Sequence, residues 1–446
     1  MLDIASFKKH LTGLVEQSAN PVSFTQNESP HFIIAYSGGL DSHVLLHLVS
    51  ACQLPCRAIY IDHGLQAESQ NWSKHCAVVC QQLDIPFQSI SVNAVAEKGE
   101  SPEASARTAR YDALAKQMQA SDILLTAQHL QDQSETLLLQ MLRTSGPAGL
   151  AAMPAVKDFA AGLHVRPLLM TERNELEAYA NQHQLKWIED PSNNDQRYDR
   201  NFFRQSIFPL LKKRWPSINQ TLSNVTLLQA EASELINDLA ELDAEKVIDN
   251  DTVEIEALVK LSPARQRNLI RYWLQQCGLD APTSKRLKEI LGSMITAAGD
   301  KMPVVDWGDT EVRRFQGKLY AMKTLQQHDP GQIIQWNPEQ SLFLADDSEL
   351  RAVDATSGLL AQLRQQNLIV RYRTGGERIK PAGRAHTMDL KKLMQQVAIP
   401  TWQRSRIPLI YLDDKLIAVA DYWISDEFKS ESGTPAWQVK TQKSND

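Results

Sequence analysis

The chain has 446 residues, of which 43% are hydrophobic and 22% are charged, and its formal net charge at pH 7 is −6. This length predicts about three domains, and the composition is that of an ordinary globular protein. No apolar run reaches the roughly 18 residues of a membrane helix, and Met1 to Asn20 is no charged-then-apolar leader, so we expect a cytoplasmic protein without a membrane partner.

Five cysteines are too few for a disulfide scaffold in a chain of this size. Cys52 and Cys56, and then Cys76 and Cys80, are each four positions apart, which leaves a four-thiolate metal site open. The favoured alternative is that Cys76 and Cys80 are small core residues of a helix. No C-x-x-C pair occurs, which weakens any hypothesis of sulfur transfer.

The first predicted strand leads into a glycine turn. Phe32 to Tyr36 is apolar, a tight turn follows, and Val44, Leu45 and Leu48 then recur at helical spacing. A glycine turn at a helix N-terminus offers free N–H groups and the positive dipole end to an anion, and a carboxylate there fits when a divalent cation bridges it to phosphates. We therefore predict a Mg-ATP site rather than an ordinary turn with a serine N-cap. Its residues are Ser37, Gly38, Gly39, Leu40, Asp41 and Ser42.

Strands and helices then alternate. The predicted strands are Ala58–Ile61, Phe87–Val92 and Asp122–Ala127, and the predicted helices are Ala67–Leu83 and one capped by Ser101. This order predicts a parallel sheet with helices on both faces, whose ligands bind beyond the carboxyl ends of the strands. His63 follows one of these strands, and Arg107 and Arg110 share a face of the second helix.

A second polar group follows the strand at Asp122–Ala127. His129 stands at the strand end, and Asp132 and Glu135 lie one helical turn apart. Together with Asp41 they are candidates to hold Mg²⁺ and to orient a reacting amine. The alternative is a pair of acids that stabilise a helix dipole beside a neutral imidazole.

The polar segment 187–195 (WIEDPSNND) leads into a helix with Arg200 and Arg204 one turn apart. Such arginines are candidates to grip phosphates or a transition state. A self-hydrogen-bonded turn rich in Asp and Asn is the alternative.

Five motifs in this order carry a specific resemblance: SGGLDS, IDHGL, EASARTARY, QHLQDQSETLLLQMLRTSGPAGL and WIEDPSNNDQRYDRN. Neither GxxxxGK[ST] nor GxGxxG occurs. The chain resembles, over nearly its whole length, the bacterial tRNA(Ile)-lysidine synthetase family, whose SGGLDS turn is the PP-loop of the ATP pyrophosphatases. Members adenylate the wobble cytidine of a CAU-anticodon isoleucine tRNA and join free lysine to it. The tRNA then reads AUA rather than AUG and accepts isoleucine rather than methionine.

The resemblance implies an α/β fold class: a parallel-sheet PP-loop domain of the adenine nucleotide α-hydrolase type, a mostly helical middle domain and a small α+β C-terminal domain. It implies ATP and Mg²⁺ as cofactors and L-lysine and tRNA(Ile) as partners. The implied catalytic residues are Asp41, Asp132, Glu135, Arg107 and Arg200, with Asp132 or Glu135 as anchor or base for the lysine amine. The implied nucleotide site is the 37–42 turn with His63, the implied magnesium ligands are Asp41 and Asp132, and the implied tRNA contacts here are Arg110 and Arg204.

Two positions depart from the family's usual AHHxxDQxET motif. Gln128 stands where the first histidine is usual, and Gln131 stands at a position that is commonly acidic. His129, Asp132 and Glu135 remain, so we expect activity to be retained.

The domains are predicted at residues 1–215, 216–323 and 341–446, with a linker at 324–340 that contains Pro330-Gly331 and Pro338. The middle domain begins with a long amphipathic helix over Ile218 to Leu242. Helices at Pro263–Cys277 and Lys285–Met294 follow, and a hairpin over Glu311–Lys323 turns at Gln316-Gly317.

The last domain contains a basic module, residues 371–406, with nine basic and two acidic side chains and a local charge of +7. Such a module on an acidic chain suits a polyanionic partner, although a solvated basic face is the alternative. Tyr372 and Trp402 are candidates for base stacking. The predicted tRNA contacts are Arg371, Arg373, Arg378, Lys391, Lys392, Arg404 and Arg406.

Two other functions stay open on the sequence alone. The first is another PP-loop enzyme, such as a tRNA thiolase or an amidotransferase-type synthetase, which the missing cysteine pair and the basic module disfavour. The second is a non-catalytic tRNA-binding protein, which the retained Asp41 and Asp132 disfavour. The oligomeric state also stays open, with a homodimer as one alternative.

Overall fold

The computed structural model describes residues 2–17, 31–64, 69–93, 102–297, 301–431 and 433–443. The chain divides into two compact units, Met1–Ile236 and Asn237–Asp446. The predicted N-cap Ser101 and the predicted helix start at Ala67 fall outside the described residues. Within the described part of the chain, no helix combines the length and the apolar character needed to cross a membrane.

The first unit alternates strands and helices, as predicted. Its strands are β1 (Phe32–Ala35), β2 (Cys56–Asp62), β3 (Phe87–Ser91), β4 (Ile123–Leu125), β5 (Val156–Phe159) and β6 (Gly162–Val165). Its helices are α1 (Ile4–Glu16), α2 (Leu40–Ala51), α3 (Ser69–Gln82), α4 (Pro102–Ala115), α5 (Leu130–Leu142), α6 (Pro147–Leu150), α7 (Arg173–Gln182), α8 (Asp199–Phe202) and α9 (Phe208–Arg214). A π-helical stretch, Phe203–Ile207, joins α8 to α9.

These strands form one sheet in the order β3-β2-β1-β4-β6-β5. All neighbours run parallel except the edge strand β5, which is antiparallel to β6 and was not predicted. In β1 the side chains of Phe32 and Ile34 belong to one apolar core and Ile33 to the core on the opposite face. Since β1 is covered on both faces, the carboxyl ends of β2, β1 and β4 meet at one edge of the sheet, which confirms the parallel PP-loop fold class.

The predicted long helix is α10 (Ile218–Val247), and it contains the division between the two units. The second unit begins with β7 (Ile248–Asp249), β8 (Thr252–Glu254), α11 (Ile255–Leu258), α12 (Pro263–Gln276), α13 (Ser284–Glu289), β9 (Val304–Trp307), β10 (Thr310–Phe315) and β11 (Lys318–Lys323). The predicted hairpin is present, since β10 and β11 pair in antiparallel fashion. Its two turn residues, Gln316 and Gly317, have positive φ values of 46° and 78°. A sheet in the order β7-β8-β11-β10-β9 accompanies the predicted helices of this middle region.

The C-terminal part of the second unit is mostly antiparallel sheet. Its elements are β12 (Ile333–Trp336), β13 (Leu342–Phe343), β14 (Ser348–Ala355), β15 (Leu359–Leu360), β16 (Leu368–Arg371), β17 (Arg378–Ile379), β18 (Met388–Asp389), α14 (Leu390–Gln396), α15 (Thr401–Arg404), β19 (Leu409–Leu412), β20 (Lys415–Val419), β21 (Trp423–Ile424) and β22 (Ala436–Lys443). Strand β12 falls inside the predicted linker 324–340, yet it pairs with β16, and Trp336 is buried in the core. This sheet therefore begins before residue 341, and the exact domain boundaries stay predictions.

Candidate active site

The glycine turn between β1 and α2 is closed by its own serine and by a distant loop. The Ser42 hydroxyl donates to the Gly39 carbonyl at 3.0 Å and accepts from the Ser37 amide at 3.2 Å. The Ile188 amide donates to the Gly38 carbonyl at 2.9 Å. Gly38 has a φ of +80°, and a Cβ there would lie 2.7 Å from Ile188 Cδ1, so any other residue would be strained at this position.

This geometry makes the turn suitable for an anion. Gly39 is the N-cap of α2, its backbone is extended, and it has no side chain to cap the helix. The N–H groups of the first helical turn therefore have no partner within the helix, and they carry its positive dipole end. Of the two predicted serine donors, Ser37 is exposed, whereas Ser42 is buried and holds the turn together.

The end of β2 places His63 beside Arg110. The Arg110 guanidinium donates to His63 Nε2 at 3.1 Å through Nη2 and at 3.3 Å through Nε. Burial and the neighbouring Arg110 lower the pKa of His63 to about 4, so the ring is neutral at pH 7. Arg110 lies on α4, and on the same helix the Arg107 guanidinium lies 5.0 Å from the centre of the Tyr111 ring. The two arginines are exposed, as substrate contacts need to be.

His129, at the end of β4, lies between two predicted carboxylates, Asp41 of α2 and Asp132 of α5. His129 is the N-cap of α5: its Nδ1 accepts from the Gln131 amide at 3.2 Å, while its own amide donates to Asp132 Oδ2 at 3.0 Å. His129 Nε2 lies 3.8 Å from Asp41 Oδ2 and 3.6 Å from Asp132 Oδ2. The predicted convergence of the two strand-end groups is therefore present in the structure.

Arg204 binds the carboxylate pair. Its Nε donates to Glu135 Oε1 at 2.9 Å, and its Nη2 donates to Glu135 Oε2 at 3.0 Å and to Asp132 Oδ1 at 3.2 Å. Glu135 is fully buried, and its burial raises its pKa, with Arg204 acting in the opposite direction. Arg200 lies further away, with its Nη1 3.8 Å from Glu135 Oε2.

Arg204 was predicted as a tRNA contact, and the structure gives it a different role. Burial lowers the pKa of this guanidinium, but Glu135 and Asp132 outweigh burial and raise it above its usual value. A cation held by two carboxylates has few donors left for a phosphate. Arg204 therefore organises the acidic residues of the site.

The donors around Asp41 fit a magnesium ion that is shared with phosphates. Asp41 Oδ1 is a buried oxygen for which the described residues provide no hydrogen-bond partner. Burial raises the pKa of Asp41, and the charge of Asp132 acts in the same direction, so a bound cation would favour the charged form. In the described part of the chain no three His, Cys, Asp or Glu residues are grouped as a complete metal site. Mg²⁺ commonly takes one or two carboxylates and completes its shell with water and phosphate oxygens, so Asp41 with Asp132 is sufficient.

A cavity of about 480 Å³ is lined in part by Arg204, the residue that binds the carboxylate pair. Arg173 and Lys212 give it two cationic groups besides Arg204, and Lys212 is half-buried. Sequence reasoning missed both residues, because neither belongs to a motif. The cavity is lined by Gln131, Arg173, Arg204, Gln205, Phe208, Pro209 and Lys212.

The basic module contains paired, buried and exposed cations. Four of these cations lie near carboxylates, with nitrogen–oxygen distances of 3.4 Å for Arg371 and Asp414 and 3.5 Å for Arg373 and Glu377. Asp389 lies between two others, 3.6 Å from Arg378 and 3.9 Å from Lys392. Arg406 donates a hydrogen bond to the Gln326 carbonyl. Lys391 is exposed.

Two residues of the module are not placed as predicted. Arg404 is buried and donates to the Ile399 carbonyl at 2.8 Å, so it is a structural residue rather than a tRNA contact. Tyr372, a predicted stacking residue, is 5% exposed and packs edge-on against His328. Trp402 packs against Phe315 and Tyr320 of the middle region.

The four cysteines that left a metal site open lie in the core of the first unit. Cys52, Cys76 and Cys80 are buried, and burial raises the pKa of the Cys76 and Cys80 thiols to about 12. Thiols of this kind are poor metal ligands, because ligation requires the thiolate.

The fold and the site define a PP-loop protein that binds ATP, and a family model of the PP-loop domain matches residues 7–211. Two further models match: a TilS substrate binding domain at residues 254–320 and a TilS substrate C-terminal domain at 368–441. Similar curated proteins are the tRNA(Ile)-lysidine synthases of Coxiella burnetii (41% identical, covering 94% of each chain) and Methylococcus capsulatus (40% identical, covering 89% of this chain and 92% of that one). The enzyme of Serratia proteamaculans is 39% identical over 93% of this chain and 96% of its own. The chain belongs to the tRNA(Ile)-lysidine synthase family.

Proposed function

We propose that this protein uses ATP to join L-lysine to C2 of the wobble cytidine in the CAU anticodon of tRNA(Ile), releasing AMP and diphosphate. The observation that carries the proposal is the meeting of Asp41, Asp132 and Glu135 beside an anion-binding turn, in a chain whose relatives match over almost their full length. The product, lysidine, makes the tRNA read AUA and accept isoleucine. The reaction belongs in the cytoplasm, where ATP, lysine and tRNA occur together.

In the first step the cytosine O2 attacks the α-phosphorus of ATP. The bond from that phosphorus to the bridging oxygen breaks, and diphosphate leaves. The free N–H groups at the start of α2 and the Ser37 hydroxyl stabilise the charge that develops on the departing group. Asp41 and Asp132 would hold Mg²⁺, which would supply positive charge to neutralise the phosphates.

In the second step the lysine ε-amine attacks C2 of the adenylated cytosine. The C2–O2 bond breaks, and O2 leaves with AMP. An amine with an ordinary pKa of about 10.4 is protonated at neutral pH, so the site must hold it and remove a proton. Asp132 or Glu135 is the anchor or base for this amine.

The cavity beside Arg204 suits the other end of the lysine molecule. Free lysine carries an α-carboxylate, and Arg173 and Lys212 provide cations in a cavity that is also lined by Arg204, the residue that binds Asp132 and Glu135. A charge-assisted hydrogen bond to either group fixes the amino acid with its side chain toward Glu135. This polarity selects an amino acid that has an amine at its far end.

The tRNA contacts are proposed among the exposed basic residues. Arg107 and Arg110 on α4, and Lys391, Lys392 and Arg378 in the basic module, all expose their side chains. Phosphate contacts of this kind make binding strongly salt-dependent. Arg371, Arg373 and Arg406 are half-buried and paired, so they are weaker candidates.

The proposal is tested by incubating the protein with a tRNA(Ile) transcript that has a CAU anticodon, ATP, Mg²⁺ and labelled lysine, followed by nucleoside analysis. We expect labelled lysidine and one AMP per lysine joined. A transcript with uridine at the wobble position and the Glu135→Gln variant are the matched controls. Stimulation of diphosphate release by ammonia or sulfide instead of lysine would indicate a different PP-loop enzyme, and tRNA binding without AMP release would indicate a binding protein.

A further inference from the structure

A buried chain of hydrogen bonds leads to Gln128, the residue that departs from the family motif. Arg166 Nη2 lies 3.2 Å from His164 Nδ1, His164 Nε2 lies 2.7 Å from Thr126 Oγ1, and Thr126 Oγ1 in turn is bonded to Gln128 Oε1. His164 is 0%, Arg166 3% and Thr126 6% exposed. The chain crosses from the end of β6 to the end of β4, the edge at which the active site lies.

The polarity of this chain is fixed from one end. A guanidinium has only donors, so His164 Nδ1 must accept and His164 Nε2 must carry the proton. The Thr126 hydroxyl then accepts from His164 and donates its own hydrogen to Gln128 Oε1. Burial and the cations of Arg166 and Lys157 lower the pKa of His164 to about 2, so protonation does not interrupt this arrangement near neutral pH.

The amide of Gln128 is therefore held in one orientation. Its oxygen is occupied by Thr126, and its NH₂ group is left as a donor for which the described residues provide no partner. Gln128 directly precedes His129, whose ring faces Asp41 and Asp132. Gln128 and His129 both follow β4, so this amide lies at the same carboxyl edge of the sheet as Asp41 and Asp132.

We propose that Gln128 donates a hydrogen bond from its NH₂ group to ring atom N3 of the target cytosine, and that Thr126, His164 and Arg166 are positioning residues that keep the amide in this orientation. Cytosine N3 is an acceptor next to the reacting C2. Uracil has an N–H there, which would face another donor. The assignment rests on the proposed function, since it takes cytosine as the bound base.

The test compares two anticodon stem-loop RNAs that differ only at the wobble base, cytidine or 3-deazacytidine, which lacks the N3 acceptor. Affinities are measured by fluorescence anisotropy on the full-length protein without ATP or lysine. We expect the unmodified protein to prefer cytidine about fivefold, the size of one ordinary hydrogen bond. In Gln128→Ala the preference disappears, and in Gln128→Glu it reverses, because a carboxylate oxygen then faces N3.

Thr126 supplies the matched pair for the positioning residues. Thr126→Ser keeps the hydroxyl and should keep the preference, whereas Thr126→Val removes it and should reduce the preference, because the amide is then free to turn over. Long-range ¹H–¹⁵N spectra should show His164 protonated on Nε2. An unchanged cytidine preference in Gln128→Ala, or His164 protonated on Nδ1, would overturn the assignment. Lysidine formation is measured separately, so a failure of the proposed reaction is not confused with a failure of this contact.

Discussion

Replacing Arg204 with methionine removes the cation that holds Asp132 and Glu135 together, while it keeps most of the apolar stem. Glu135 is fully buried and receives two of the guanidinium's three hydrogen bonds to carboxylates. Loss of one partner from a buried ion pair costs about 3–5 kcal/mol, because the remaining charge has no compensation. Since Arg204 itself is 28% exposed, we expect the lower end, a loss of about 3 kcal/mol in the free energy of unfolding.

The loss should depend on pH in a defined direction. Burial already raises the pKa of Glu135 in the folded protein, and removal of Arg204 raises that pKa further. A carboxyl group with a raised folded-state pKa binds more protons when folded than when unfolded, so stability increases as the pH falls. The difference between the Arg204→Met variant and the unmodified protein should therefore shrink as the pH is lowered from about 8 toward 5.

Urea unfolding followed by tryptophan fluorescence measures the stability change, and Arg197→Met is the matched control. Arg197 also pairs with an aspartate, Asp195, but its side chain is 87% exposed, so its removal should leave stability unchanged. Lysidine formation should fall on the order of 100-fold in Arg204→Met, because the carboxylates are no longer held in position. Equal stability of Arg204→Met and Arg197→Met at every pH would show that Arg204 does not stabilise the buried carboxylates.

Three further predictions concern other parts of the site. Gly38→Ala places a Cβ 2.7 Å from Ile188 Cδ1 at a φ of +80° and should destabilise the ATP-free protein by about 2 kcal/mol, whereas Gly39→Ala, whose nearest contact would be 3.7 Å away, should not lower the melting temperature. Lys212→Gln should raise the KM for lysine about tenfold and leave the KM for ATP unchanged, because it removes one charge-assisted hydrogen bond to the α-carboxylate; equal changes in both constants would contradict this role. Asp41→Asn should raise the Mg²⁺ concentration that gives half-maximal diphosphate release, and an unaltered Mg²⁺ titration would remove Asp41 from the metal site.

The sequence predicted the strand, turn and helix around Gly38 because their signals are local. Apolar periodicity and glycine chemistry operate within about ten residues, so the strand, the turn and the helix could each be predicted, although Leu40, Asp41 and Ser42, predicted in the turn, form the first turn of α2. The contact between Ile188 and Gly38 is different, because it joins residues that are far apart in the chain. No local pattern predicts which distant loop will close a turn.

Arg204 shows the same limit for the site. Its spacing from Arg200 indicated a helix face with two cations, but spacing does not reveal which groups face that helix after folding. Arg404 and Tyr372 were misjudged because basic and aromatic residues in a cationic stretch suggest exposure, whereas the fold uses both as interior packing. The linker predicted at residues 324–340 includes β12 because Gly331 and Pro338, which favour turns, flank this short strand closely.

The cap of α5 has a consequence for how this site is dissected by mutation. Asp132 accepts a hydrogen bond from the His129 backbone amide at 3.0 Å. The same carboxylate therefore closes the first turn of a helix and also faces the reacting groups. Alanine at this position would fray the helix as well as remove the acid, and the measured loss would mix two causes. Asparagine retains an oxygen that accepts from the backbone amide while it abolishes the negative charge. An asparagine scan therefore separates architecture from chemistry here, which an alanine scan cannot do.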